Sequence, residues 1–90
     1  MDDLEYSILH VTRHSAKPIQ KQDIYAAIEA RDRLPVDHVG RSTVRETIDE
    51  LHSEGLLCSL IFMPDERELA IGFELTSKGQ QRLQDLDDGL

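Results

Sequence analysis

Ninety residues suffice for one domain with a modest core and no covalent staples. The single cysteine, Cys58, excludes both an intramolecular disulfide framework and a cysteine-rich zinc site. A net charge of −8 speaks against phosphate-bearing partners unless local basic placement outweighs the total.

No run approaches the ~20 apolar residues of a membrane span, and Met1-Asp2-Asp3 is the wrong beginning for a secretory signal. A reducing, cytoplasmic setting is therefore expected. Residues 2–14, DDLEYSILHVTRH, place Asp2, Asp3 and Glu5 near one end and Arg13 and His14 near the other, the order that complements a helix dipole. This predicts a first helix with Leu4, Ile8, Val11 and Thr12 on its inner stripe and Tyr6, Leu9, His10 and Arg13 on the other side. An outward Tyr and Leu suggest cover, and a second copy of the chain is the expected cover.

Pro18 stops that helix and pushes the residue before it out of the α region, leaving a short extended piece at residues 15–19. Helical periodicity resumes over residues 21–31, with Ile24, Ala27 and Ile28 inward. Residues 32–39, DRLPVDHV, read as a loop longer than the about three or four residues of a tight helix-turn-helix turn. Leu34, Val36 and Val39 are expected to pin it to the core.

The stretch GRSTVRETIDELHSEGLL, residues 40–57, organises the rest. At about 100° per residue, Val44, Thr47, Ile48 and Leu51 share one face, while Ser42, Glu46, Asp49 and Ser53 lie opposite with Arg45 on the flank. Gly55 sits at a left-handed stop with Leu56 behind it, so a helix over residues 41–54 is expected, roughly 21 Å long. Its leading end carries Arg41, Ser42, Thr43 and Arg45, and the N-terminal residues of such helices are those that meet base edges in a major groove. A charged helical face alone is more often merely solvated; the order of elements around it shifts the balance.

Beyond Gly55 the period changes. Residues 56–63, LLCSLIFM, form a nearly continuous apolar run, and residues 68–75 alternate, with Leu69, Ile71, Phe73 and Leu75 on one face. Pro64, Asp65, Glu66 and Arg67 supply the turn between them, so a hairpin is predicted. The first strand could use cover on two faces, which a lone hairpin on a three-helix core does not give, and contact with another subunit is expected there. Cys58 is read as a buried small hydrophobe. Thr76 is a good N-cap for a last helix over residues 77–86, with Leu83 and Leu86 on its stripe and a frayed end.

Helix, extended piece, helix, third helix and hairpin is the winged helix-turn-helix order. The segment RSTVRETIDELHSEGLL resembles the third helix and its exit in small prokaryotic winged-helix transcription regulators. FELTSKGQQRL, residues 73–83, resembles the end of the second wing strand and the following "LT-x-KG" helix start of regulators similar to the PadR and MarR groups. The expected fold is thus α+β, a single domain over residues 1–90 with a three-helix core, a β-hairpin wing and a C-terminal helix. The resemblance implies double-stranded DNA binding as a homodimer, with Arg41, Ser42, Thr43 and Arg45 at groove-facing positions and Arg67 at the wing tip. Glu46 is placed to accept from a cytosine amino group, and Lys21 and Gln22 to approach a phosphate at the start of helix two.

Two departures stand out: the turn before the third helix is long, and the wing sequence PDERE sets three acidic residues against one Arg. Seven Arg against three Lys, and ten Asp against eight Glu, resemble the balance of proteins from salt-loving archaea. In molar salt the Debye length falls to about 3 Å, so an acidic surface repels DNA only at contact range. His10 and His14 have a spacing that suits two imidazoles on one metal, but structural sites normally need four ligands, so interface or exposed histidines are the better reading. No activated nucleophile, phosphate-binding glycine loop or carboxylate pair stands out, and neither an enzyme nor a cofactor is expected. The leading expectation is a sequence-specific DNA-binding transcription regulator. The alternative is an acidic winged-helix module that binds protein and not DNA, and a metal-responsive switch ranks third.

Overall fold

The computed structural model describes residues 3–15, 18–32 and 38–89. In chain order these form helices α1 (Asp3–Arg13), α2 (Lys21–Asp32) and α3 (His38–Ser53), strands β1 (Leu57–Asp65) and β2 (Glu68–Leu75), and helix α4 (Ser77–Asp88). The α+β order expected from periodicity is the order observed.

One buried cluster joins Ile8 and Leu9 of α1, Ile24 and Ile28 of α2, Val44, Ile48 and Leu51 of α3, Leu57 and Phe73 at the hairpin base, and Leu83 of α4. Ile8 and Leu9 are both fully buried. Neighbouring helical residues point about 100° apart, so burying both needs cover on two sides. α1 has it because α4 packs on it as well as α2, α3 and β2. The outward position expected for Leu9 is therefore wrong, and Tyr6 donates its hydroxyl to Asp87 of α4 at 2.6 Å. The cover assigned to a second copy is supplied by the chain's own last helix. Arg82 Nε also donates to Glu5 Oε1 at 2.9 Å, and this hydrogen bond together with the Glu5 charge raises the guanidinium pKa above its ordinary value.

α3 begins at His38, ahead of the start expected at Arg41. Gly40 does not break it, since an interior glycine costs only about 1 kcal/mol. Residues 33–37, with Leu34 and Val36, lie outside the described residues, as does the Val39 side chain. The inward stripe is as expected: Val44, Thr47, Ile48 and Leu51 are all buried, with the Thr47 hydroxyl donating to the Thr43 carbonyl at 2.9 Å. At the exit Gly55 adopts φ 79°, Gly55 N–H donates to the His52 carbonyl and Leu56 N–H to the Leu51 carbonyl at 2.9 Å. These two bonds are the Schellman pair.

That exit is fastened by the start of α4. Thr76 accepts from Gly79 N–H at 3.0 Å as the N-cap, its hydroxyl donates to the Gly55 carbonyl at 2.6 Å, and its own N–H reaches the Leu56 carbonyl. Lys78 Nζ donates to the Glu54 carbonyl at 2.9 Å, where the dipole favours a cation. The residues of LT-x-KG thus seal the end of α3 against α4, which runs to Asp88, two residues beyond the expected end.

The hairpin pairs Leu57 with Leu75, Ser59 with Phe73, Ile61 with Ile71 and Phe62 with Ala70. From there to Asp65↔Glu68, β1 advances three residues and β2 only two, so β1 bulges where Pro64 could not serve a regular ladder. The expected four-residue turn shrinks accordingly to Glu66 and Arg67. Ile19 adds a bridge on the far side of β2, exchanging both backbone hydrogen bonds with Phe73.

At about 3.4 Å per residue the hairpin is some 27 Å long and outruns the core. Only its base is covered, so Leu69 and Ile71, expected on a buried face, are exposed. Cys58 is exposed as well, correcting its expected burial: it is paired with Glu74 on the face turned from Leu57 and Phe73.

Candidate nucleic-acid interface

Burial of one stripe of α3 turns the opposite stripe outward. Thr43, Arg45, Glu46, Asp49 and Glu50 are exposed, and Ser42 is half-buried. Because α3 starts at His38, its first turn is His38, Val39, Gly40 and Arg41; Ser42, Thr43 and Arg45 fall in the second turn, a turn deeper than expected. Arg41 belongs to α3 by its backbone, and its side chain lies outside what the structure describes.

Lys21 opens α2 and turns back onto α3, its Nζ 3.2 Å from Asp49 Oδ1 and 5.9 Å from the centre of the Phe73 ring. Asp49 lies four residues after Arg45, and such pairs have Cβ atoms only about 5–6 Å apart on a helix surface. Lys21 and Arg45 therefore flank one carboxylate. Gln22 is exposed beside them. Between the start of α2, the end of α3 and the hairpin is a cleft of about 410 Å³, lined by Gln20, Lys21, His52, Ser59, Ile71 and Phe73 among others. There the His52 ring lies edge-on to Phe73 at 6.0 Å, and its Nε2 is 3.3 Å from Ser59 Oγ.

Arg67 stands apart at the hairpin end, exposed among Asp65, Glu66 and Glu68, all exposed too. The candidate residues thus fall into two groups. Lys21, Gln22 and the outward stripe of α3 are neighbours; Arg67 is carried on a separate arm. Among the described side chains the basic positions form no unbroken strip, since Asp49 stands between Lys21 and Arg45 and three carboxylates neighbour Arg67 along the chain.

Sequence reasoning treated Asp49 as solvated and did not single out His52 or Phe73. No local signal pairs Asp49 with Lys21, which is 28 residues away. His10 and His14 do meet, with ring centroids 4.4 Å apart, and Tyr6 stacks on His10. Among the described residues no group of three or more His, Cys, Asp or Glu side chains is gathered for a metal, and no helix is long and apolar enough to cross a membrane.

No family model matches the chain, and no curated protein matches it. Solved structures do. PadR of Bacillus subtilis in complex with operator DNA superposes with a TM-score of 0.73 at 22% identity, over 96% of this chain and 47% of that one, so this chain spans about half its length. A PadR-like transcription factor from Bacteroides fragilis gives 0.74 at 23% identity, over 97% of this chain and 79% of that one. A PadR family transcription regulator from a hypervirulent Clostridium difficile strain gives 0.65 at 19%, over 93% and 84%. The fold shared with these proteins is the winged helix-turn-helix.

Proposed function

We propose that the chain is a sequence-specific, double-stranded DNA-binding transcription regulator that inserts α3 into the major groove. The observation that carries this is the division of α3 into a wholly buried stripe and an outward stripe bearing Thr43, Arg45 and Glu46. A helix held rigidly by one side can offer the other to base edges. The shared fold supports it, since the Bacillus subtilis relative was solved on operator DNA.

In this reading Arg41 and Arg45 donate to guanine, Ser42 and Thr43 contact base or backbone, and Glu46 accepts from cytosine. Lys21 and Gln22 meet phosphate, which requires Lys21 to leave Asp49, and Arg67 meets the backbone at the wing tip. A homodimer sets two α3 helices about 34 Å apart, one turn of duplex. The role is binding, not catalysis, in the cytoplasm, and the acidic, Arg-rich composition suits a concentrated-salt interior.

The test is selection of bound duplexes from a random DNA pool, in about 0.2 M and in multimolar potassium salt, where screening differs strongly. A recovered palindrome supports the reading and sets the half-site spacing. No enrichment in either salt overturns it and makes the acidic protein-binding module the leading reading.

A further inference from the structure

We propose that the wing is a docking edge for an extended segment of a protein partner, apolar at alternate positions and basic at the end that meets the hairpin tip, which adds as a strand beside β1. Four large apolar side chains on the hairpin are open to solvent: Ile61 at 69%, Met63 at 56%, Leu69 at 72% and Ile71 at 61%. Ile61 and Ile71 are register partners, and Leu69, two residues from Ile71, shares their face. It is the face that holds Leu57 and Phe73 in the core, continued outward without its cover. Contiguous exposed apolar surface of this kind marks an interaction site more often than chance.

The backbone beside it is also unpaired. Phe73 spends its N–H and carbonyl on Ile19, so they point away from β1, and Ser59, opposite Phe73, must direct its own N–H and carbonyl to the outer edge. By the period of two, Ile61 does the same. Among the described residues no strand takes that edge. Edge strands are commonly blunted by charge, yet from Leu57 to Pro64 β1 has no charged residue; only the bulge and Pro64 close its far end.

Charge and area choose the occupant. Asp65, Glu66 and Glu68 crowd the tip end of the strip against Arg67 alone, while Lys21 and His52 line the cleft at its base beside Ser59 and Ile71. At the tip a second copy laid in parallel would meet like charge and a phosphate backbone would find only Arg67, whereas a segment with a basic end would meet opposite charge. The four side chains expose on the order of 500 Å², below the ~800 Å² per side of a stable interface between folded proteins, but sufficient for a strand-adding peptide. The DNA reading rests on the outward stripe of α3 and shares only Arg67 with the wing, so the two can fail independently.

The experiment is panning a random-peptide library against the full chain, then measuring the affinity of a synthetic enriched peptide for the parent, for Ile71→Lys, and for Glu66→Lys combined with Glu68→Lys. All three substitutions are at exposed positions, and unchanged circular dichroism verifies folding. The expected result is enrichment of peptides with apolar residues at alternate positions and Lys or Arg at one end, about tenfold or greater loss of affinity in both variants, and slowed amide exchange at Ser59 and Ile61 when peptide binds. Absence of enrichment, equal affinity for Ile71→Lys, or slowing confined to α3 would overturn the proposal. So would a dimer of the chain alone that Ile71→Lys disperses, because the occupant would then be a second copy.

Discussion

Lys21 of α2 and Asp49 of α3 hold each other across the groove between their helices, with 3.2 Å between Nζ and Oδ1. Both side chains are partly exposed, 35% and 61%, and a pair so solvated contributes about 0–1 kcal/mol. Its consequence is positional: the cation proposed for phosphate is parked on a carboxylate that itself faces any approaching duplex.

Replacing Asp49 by Asn should therefore leave folding stability within about 1 kcal/mol of the parent while strengthening binding to all duplexes alike. The slope of log affinity on log salt should stay near the parent's, because Lys21 meets its phosphate in both proteins and only the cost of leaving Asp49 is removed. Salt-titrated binding to an unrelated duplex measures both, and an affinity no higher than the parent's would show that Asp49 does not hold Lys21 back from phosphate.

Arg45 should behave differently. Arg45→Ala is expected to erase discrimination at one base position, worth about 1–3 kcal/mol, whereas Lys21→Ala should weaken every sequence about equally and flatten the salt dependence. Competition between a selected site and its single-base variants separates the two patterns. If both mutants match the parent, the groove assignment is wrong.

Two glycines should respond to Ala for different reasons. Gly55 has φ 79° and nothing within 4 Å of an added Cβ, so Gly55→Ala should cost about 1–2 kcal/mol through the backbone alone. Gly79 has ordinary helical geometry, where Ala normally gains about 1 kcal/mol, but its Cβ would collide with the Leu56 carbonyl. Gly79→Ala should destabilise by about 1–3 kcal/mol. Urea melts compare them directly.

Thr76 joins three backbone groups through one hydroxyl and one N–H. Thr76→Val, which keeps the shape and removes the oxygen, should cost about 1–2 kcal/mol; Thr76→Ser should remain within about 0.5 kcal/mol. Equal losses in thermal unfolding would show that the methyl group matters as much as the hydroxyl.

The helical faces were legible where a single neighbouring surface decides them. The stripe of Val44, Thr47, Ile48 and Leu51 follows from period alone, as does the stop at Gly55. Leu9 was misread because α1 is covered on more than one side, and periodicity counts faces as though each helix had one. The wing was placed correctly but its turn was not, since the bulge before Asp65 belongs to the pairing of two strands and has no signature in either. Exposure of Leu69 and Ile71 depends on how far the hairpin overshoots the core, which alternation does not report, and exposure of Cys58 on its face of the hairpin lying turned from the core, which a continuous apolar run does not reveal. In the candidate site, residue types and host elements could be read; the attachment of Lys21 to Asp49 could not, because it depends on how α2 crosses α3.

The fastening of α1 to α4 bears on how the chain becomes native at all. Tyr6 meets Asp87 across 81 positions and Glu5 meets Arg82 across 77, while Leu83 fills the same core as Ile8 and Leu9. A ribosome releases the first helix long before the last. Until α4 emerges, α1 must wait with one apolar flank uncovered, the condition in which nascent chains bind chaperones or one another. Closing so long a loop also favours a slower fold than three local helices would suggest.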